Sequence, residues 1–129
     1  MVVSLNDLDT TLVQQLGTAR EQSVVLTQVV PSPTQQNLRC VRHYRELHAR
    51  LFDDAPSPSG LAGYLAGRYV LHLLGRPGIS PSRQGLLEEV RRRADVDLDG
   101  YNVRFSEGRN RGGQFVTQTL LTPDGRLIG

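Results

Sequence analysis

The chain has 129 residues, of which 38% are hydrophobic and 22% charged, enough for one packed domain and little more. Fifteen arginines, with no lysine, face thirteen acidic residues, and a net charge of +2 is too close to balance to steer the chain onto nucleic acid or an anionic membrane. One cysteine, Cys40, excludes an internal disulfide and an all-cysteine zinc site, and there is no apolar run of membrane-spanning length.

Val2 to Leu5 reads as a short strand, and Asn6, Asp7 and Asp9 can cap a helix from about Thr10 to Leu16 that Gly17 closes. The N-terminus has no basic region followed by an apolar stretch and a cleavage site, so the sequence reads as lacking an export signal. Ser23 to Val30 is rich in β-branched residues and apolar on both faces, as in a buried strand, and Pro31-Ser32-Pro33 stops it.

Leu38, Val41, Tyr44, Leu47 and Leu51 recur at helical spacing with charges opposite, predicting an amphipathic helix buried along that stripe. After the Pro/Ser connection Asp53 to Ser59 comes a segment apolar nearly all round, Leu61 to Leu74, which predicts a buried helix containing Tyr64 and Leu71. Gly63 and Gly67 read as packing glycines within it, and His72 as a core or boundary histidine. Ser80-Pro81-Ser82 begins a fourth helix that ends at Arg91-Arg92-Arg93. Tyr101, Val103 and Phe105 alternate with polar residues, Gly108 to Gly113 makes a loop, and Gln114 to Leu121 reads as the returning arm of a hairpin. Arg126 to Ile128 follows as an edge strand.

The predicted order is β-α-β-α-α-α-β-β, an α/β architecture. Three successive helices lack strands of their own, which suggests that the sheet they cover lies in sequence outside this chain.

Few constellations suggest chemistry. Asp95, Asp97, Asp99 and Gly100 occupy positions 1, 3, 5 and 6 of a calcium loop, but position 12 is Ser106 and a strand pattern follows, so a solvated acidic turn competes with a small calcium-binding module. Cys40 and His43 have C-x-x-H spacing, but no second ligand pair accompanies them, and nothing marks Cys40 as a nucleophile. Arg39, Arg42, Arg45, Arg50 and Arg91 to Arg93 read as solvated helix faces and not as a nucleic-acid patch. The sequence therefore predicts no catalytic residue, metal site or cofactor, and no enzyme.

Five segments, in order, resemble the periplasmic solute-binding proteins of ABC importers of the leucine/isoleucine/valine type. Ser23 to Pro33 (SVVLTQVVPSP) looks like that family's hinge-crossing strand and Leu38 to Leu47 (LRCVRHYREL) like the helix after it. Leu61 to Arg68 (LAGYLAGR) is similar to its Leu-Glu-Gly-Tyr-x-Ala-Ala-Arg helix, Ser82 to Leu87 to its Thr-Arg-Glu-Gly-Leu segment, and Leu98 to Val116 to its closing hairpin. Ala62 departs from the family's glutamate, and Thr34 from an aromatic.

The resemblance implies an incomplete type I periplasmic-binding fold. Residues 1–129 would be a single segment from the C-terminal part of a two-lobe protein, with a hinge-crossing strand over 23–33, a helical part over 38–93 and a C-terminal hairpin over 99–129. It implies a small ligand such as a branched-chain amino acid in the full-length protein, a membrane permease as partner, a periplasmic location and no nucleic acid. Ser57, Ser59 and Gly60, before the Gly-Tyr helix, would be the ligand-contacting residues, with ordinary helix capping by Ser59 as the competing role. The chain alone would not bind ligand and would form a homo-oligomer; the alternatives are a truncated, self-associating structural fragment without ligand, and the small calcium-binding module at Asp95 to Gly100.

Overall fold

The computed structural model describes residues 2–5, 24–92, 94–109, 111–123 and 127–128. Their contacts group into two compact units, one of residues 1–31 and 115–129 and the other of residues 32–114, so the chain passes between units twice. The helix expected from Thr10 to Leu16 lies outside the described residues.

In the first unit, strand β2 (Val24–Gln28) has the β-branched composition that suits a pleated surface. It pairs in parallel with β1 (Val2–Leu5), Val2 facing Val24 and Leu5 facing Thr27. On its other side it pairs antiparallel with β5 (Thr117–Leu121), Val24 facing Leu121 and Gln28 facing Thr117. Strand β6 (Leu127–Ile128) closes the sheet beyond β5, giving the order β1-β2-β5-β6.

This pairing corrects the expected hairpin between the segment around Tyr101–Phe105 and Gln114–Leu121. Among the described residues of 99–129, β5 turns back only onto β6, while its long ladder is with β2. Val103 meets the returning chain at a single bridge, to Gly113. An alternating pattern specifies which face a strand buries but not its partner, and β2 offers five residues of register against one bridge.

The second unit holds three helices and a small hairpin. Helix α1 (Arg39–Leu51) buries Cys40, Val41, Tyr44 and His48. The expected stripe is therefore displaced: Leu47 is exposed and Leu51 is 64% exposed, whereas His48 is buried. The imidazole takes a core position because its ring packs edge-on to Tyr44 at 5.5 Å and its Nε2 reaches Asp54 Oδ1 at 3.3 Å, so the polar end is satisfied.

Helix α2 (Pro58–Leu74) is apolar nearly all round but buries only Leu61, Leu65 and Leu73. At about 100° per residue these span about 120° of the helix, and Val70, Leu74 and Leu71 lie on the remaining side, exposed, Leu71 by 67%. Gly63 and Gly67 fall on that open side, where an added Cβ would meet nothing within 4 Å. The buried-helix expectation thus holds for one face only, and nothing in this chain packs on the glycines among the described residues. His72 is likewise exposed, not a core residue.

Helix α3 (Arg83–Arg91) is capped by Ser82, whose Oγ accepts the Gly85 N–H at 3.1 Å, with Pro81 just before the cap. Its buried Glu89, 4% exposed, sits between Arg92 at 2.7 Å and Arg76 at 3.3 Å, the pairing a buried carboxylate requires. Strands β3 (Val96–Asp97) and β4 (Asn102–Val103) form a hairpin that contributes Val96, Leu98, Tyr101 and Val103 to the core. No helix among the described residues is long and apolar enough to cross a membrane.

Candidate functional site

Proline fits the first position of a helix because the N–H it lacks would have no partner there. Pro58 takes that position in α2, which makes Ser57 the cap, with extended backbone at φ −115° and ψ 157°. Ser57 Oγ accepts the Gly60 N–H at 3.0 Å, and its carbonyl accepts the first helical bond, from Leu61, at 3.0 Å. The expected cap, Ser59, is instead inside the helix.

Tyr44 fixes this end of α2 from α1. Its hydroxyl accepts the Ser57 N–H at 3.3 Å and donates to the Ser57 carbonyl at 3.4 Å. Gly60 is required by the approach, since a Cβ there would collide with the Tyr44 hydroxyl. The Tyr64 ring stands 5.7 Å from Tyr44, and Arg68 donates to the Tyr64 hydroxyl at 2.9 Å.

Ser57, Ser59 and Gly60 therefore lie together at the positive end of a helix dipole with no acidic residue in the first turn. Two of their N–H groups already have partners, Gly60 on Ser57 Oγ and Ser57 on Tyr44. A carboxylate reaching Gly60 would have to displace the serine hydroxyl. Ser57→Ala is expected to cost about 1 kcal/mol and Ser57→Gly only a few tenths. Urea unfolding of the two variants reads the difference, and equal losses would contradict the cap.

The acidic turn is not a cation loop. Asp95 Oδ1 pairs with Arg104 Nε at 3.2 Å, Asp97 Oδ1 accepts the Gly100 N–H at 2.8 Å, and Asp99 Oδ2 accepts from Arg68 Nη2 at 2.9 Å with His43 Nδ1 at 3.4 Å. The carboxylates serve three separate partners, and among the described residues no three His, Cys, Asp or Glu side chains converge as metal ligands. Positive φ at Asp99 (56°) and Gly100 (97°) makes the segment a two-residue type I′ hairpin turn. The calcium-module reading is corrected accordingly. The alternation Val96, Leu98, Tyr101, Val103 around Asp-Gly was the sequence signal for this hairpin.

Asp99 also ties the turn to two helices: its carbonyl accepts the Cys40 N–H at 3.1 Å, satisfying a donor at the start of α1. The Arg68 hydrogen bond, aided by the charge of His43, holds the Asp99 carboxyl below its ordinary value near 3.8. A depressed folded pKa gives stability that is present above the unfolded value and lost as pH falls through the folded one. Melting temperature should therefore drop below about pH 4 with an Asp99 component that Asp99→Asn lacks. Parallel pH profiles for the two proteins would contradict the linkage.

Neither histidine near Cys40 forms a metal pair with it. His43 faces Asp99, His48 faces Asp54, and burial pushes the Cys40 thiol up, away from nucleophilic thiolate at neutral pH. Of the arginines considered as a basic patch, Arg42 donates to the Gln36 carbonyl at 2.6 Å and Arg92 pairs with Glu89. They stabilise local structure.

No protein-family model matches the chain, and none of the curated proteins does. Three solved structures are similar over 98% of the chain. They are an extracellular ligand-binding receptor from Verminephrobacter eiseniae (TM-score 0.83, 24% identity), a possible leucine/isoleucine/valine-binding protein from Rhodopirellula baltica (0.76, 19%) and a substrate-binding periplasmic protein from Ralstonia solanacearum (0.78, 21%). The chain spans 37%, 35% and 37% of their respective lengths. It has the fold of the corresponding third of these proteins, the type I periplasmic-binding fold anticipated from its sequence.

Proposed function

We propose that this chain is the C-terminal portion of a two-lobe solute-binding protein, a non-enzyme that delivers a small molecule such as a branched-chain amino acid to the permease of an ABC importer in the periplasm. The single observation that carries the reading is the fold likeness over 98% of the chain to ligand-binding proteins of which it spans about a third. In this reading residues 23–33 form one of the crossings through a hinge between lobes, and the whole protein closes on its ligand about that hinge.

Ser57, Ser59 and Gly60 form the ligand-facing end of α2, where a ligand carboxylate replaces the Ser57 hydroxyl on the Gly60 N–H. The open side of α2 supports the fragment reading. Val70, Leu71 and Leu74 flank Gly63 and Gly67 on one arc, an apolar surface with room for close approach, and the rest of the two-lobe fold is its natural cover. Without that cover the face drives self-association.

Supplying in trans the part of the Verminephrobacter receptor that this chain does not match tests the reading. The expected result is a one-to-one complex that is stabilised thermally by leucine, isoleucine or valine, while the chain alone is not. Failure to associate, or full ligand stabilisation of the chain alone, would contradict it.

A further inference from the structure

Residues 104–109 and 111–114 are tied to one another by bonds that helix and strand formation does not require. The Arg104 N–H donates to the Gly112 carbonyl at 2.7 Å, Val103 bridges to Gly113, and the Arg109 N–H donates to the Ser106 carbonyl at 3.2 Å across a turn in which Gly108 takes φ +68°. Gly112 is buried, and a Cβ there would fall within 2.8 Å of the Phe105 ring and Val103 Cγ1. Phe105 in turn stacks at 5.8 Å from Tyr69 of α2. The loop is thus pinned at its neck, its tip and its base.

On this loop lies a half-open pocket of about 310 Å³ lined by Arg104, Ser106, Arg109, Arg111, Gly113 and Gln114, all of them exposed. Among the described residues that line it, three are arginines and none is acidic. Arg104 keeps one external partner, Asp95 on its Nε, leaving the two terminal nitrogens of its fork for another acceptor. Neither Arg109 nor Arg111 has a side-chain partner among the described residues, whereas the neighbouring acid, Glu107, has one of its own and is not part of the lining. With Arg104 balanced by Asp95, Arg109 and Arg111 leave this surface with two positive charges, which an anion bearing two charges complements.

We propose that this pocket binds the phosphoryl group of a small phosphate monoester. The planar forks of arginine match phosphate oxygens in pairs, and Ser106 and Gln114 add neutral donors. The volume exceeds that of a lone phosphate and leaves space for the group that carries it. The site is independent of the α2 terminus and of any solute-binding role.

Titration followed by amide NMR at constant ionic strength tests the proposal, with inorganic phosphate, ribose 5-phosphate and citrate as probes and sodium chloride as the control. The expected result is saturable shifts confined to Ser106, Arg109, Arg111, Gly113 and Gln114, with ribose 5-phosphate binding more tightly than phosphate. Arg109→Gln with Arg111→Gln should weaken binding by about tenfold or more, while Arg83→Gln leaves it unchanged. Both arginine substitutions fall on exposed side chains without side-chain partners among the described residues, so the fold should survive, which the unshifted remainder of the spectrum checks. Equal shifts with chloride, undiminished binding by the double variant, or tighter binding of citrate than of either phosphate would overturn the assignment.

Discussion

Leu61→Ala should lower the free energy of unfolding by about 2–5 kcal/mol, a large share of the roughly 5–15 kcal/mol available to a domain of this kind. Leu61 is fully buried at the first turn of α2, so truncation loses its transfer energy and leaves a cavity. Leu71→Asp, ten residues on in the same apolar helix, should change stability by no more than about 0.5 kcal/mol. The sequence alone predicts the opposite for Leu71, because a helix apolar nearly all round reads as buried nearly all round. In this chain Leu71 lies on the uncovered side, where an aspartate remains hydrated. Equilibrium unfolding in urea compares the two. Severe destabilisation by Leu71→Asp in dilute solution would mean that its face is covered.

Tyr44→Ala should cost about 3–5 kcal/mol and Tyr44→Phe about 1 kcal/mol. The ring is buried on α1, packs against His48 and Tyr64, and carries the hydroxyl that both accepts from and donates to Ser57. Removing the whole side chain leaves His48 and Tyr64 without their shared neighbour and frees the start of α2. Removing only the hydroxyl leaves packing intact and unpins Ser57. Calorimetric melting of both variants checks the ratio, and equal losses would show that the ring contributes nothing beyond its hydroxyl.

The three helices were legible because each carries its own periodicity and punctuation. Ser82 before Arg83, and Pro58 after Ser57, mark helix starts through a cap and a first-position proline that act within four residues. Assigning the cap to Ser59 overlooked the proline rule, which places the cap immediately before Pro58. What the local pattern could not supply was the identity of the covering surface. His48 is buried and Leu47 exposed because Tyr44 and Asp54 satisfy an imidazole there, a fact set by contacts and not by hydropathy.

Strand partners were illegible for the same reason. Thr117–Leu121 alternates no differently whether it pairs with the segment before it or with β2, and the choice is made by a ladder spanning nearly the whole chain. The Asp-rich turn misled in another way, since a two-residue hairpin and a calcium loop both favour Asp and Gly, for left-handed backbone in one and for oxygen ligands in the other. The positive φ of Asp99 and its bond to Arg68 decide between them. The pocket lined by Arg104, Arg109 and Arg111 left no motif, because it depends on a loop closed through Gly112.

Molar mass by light scattering across a concentration series, with and without calcium, tests the central claim most directly: that the open side of α2 is a surface built to be covered. The account predicts a folded species whose mass rises above 14.3 kDa with concentration, ignores calcium, and returns toward the monomer on Leu71→Asp. A compact monomer at all concentrations would contradict it, and would mean that the chain covers its own core without the rest of a two-lobe fold.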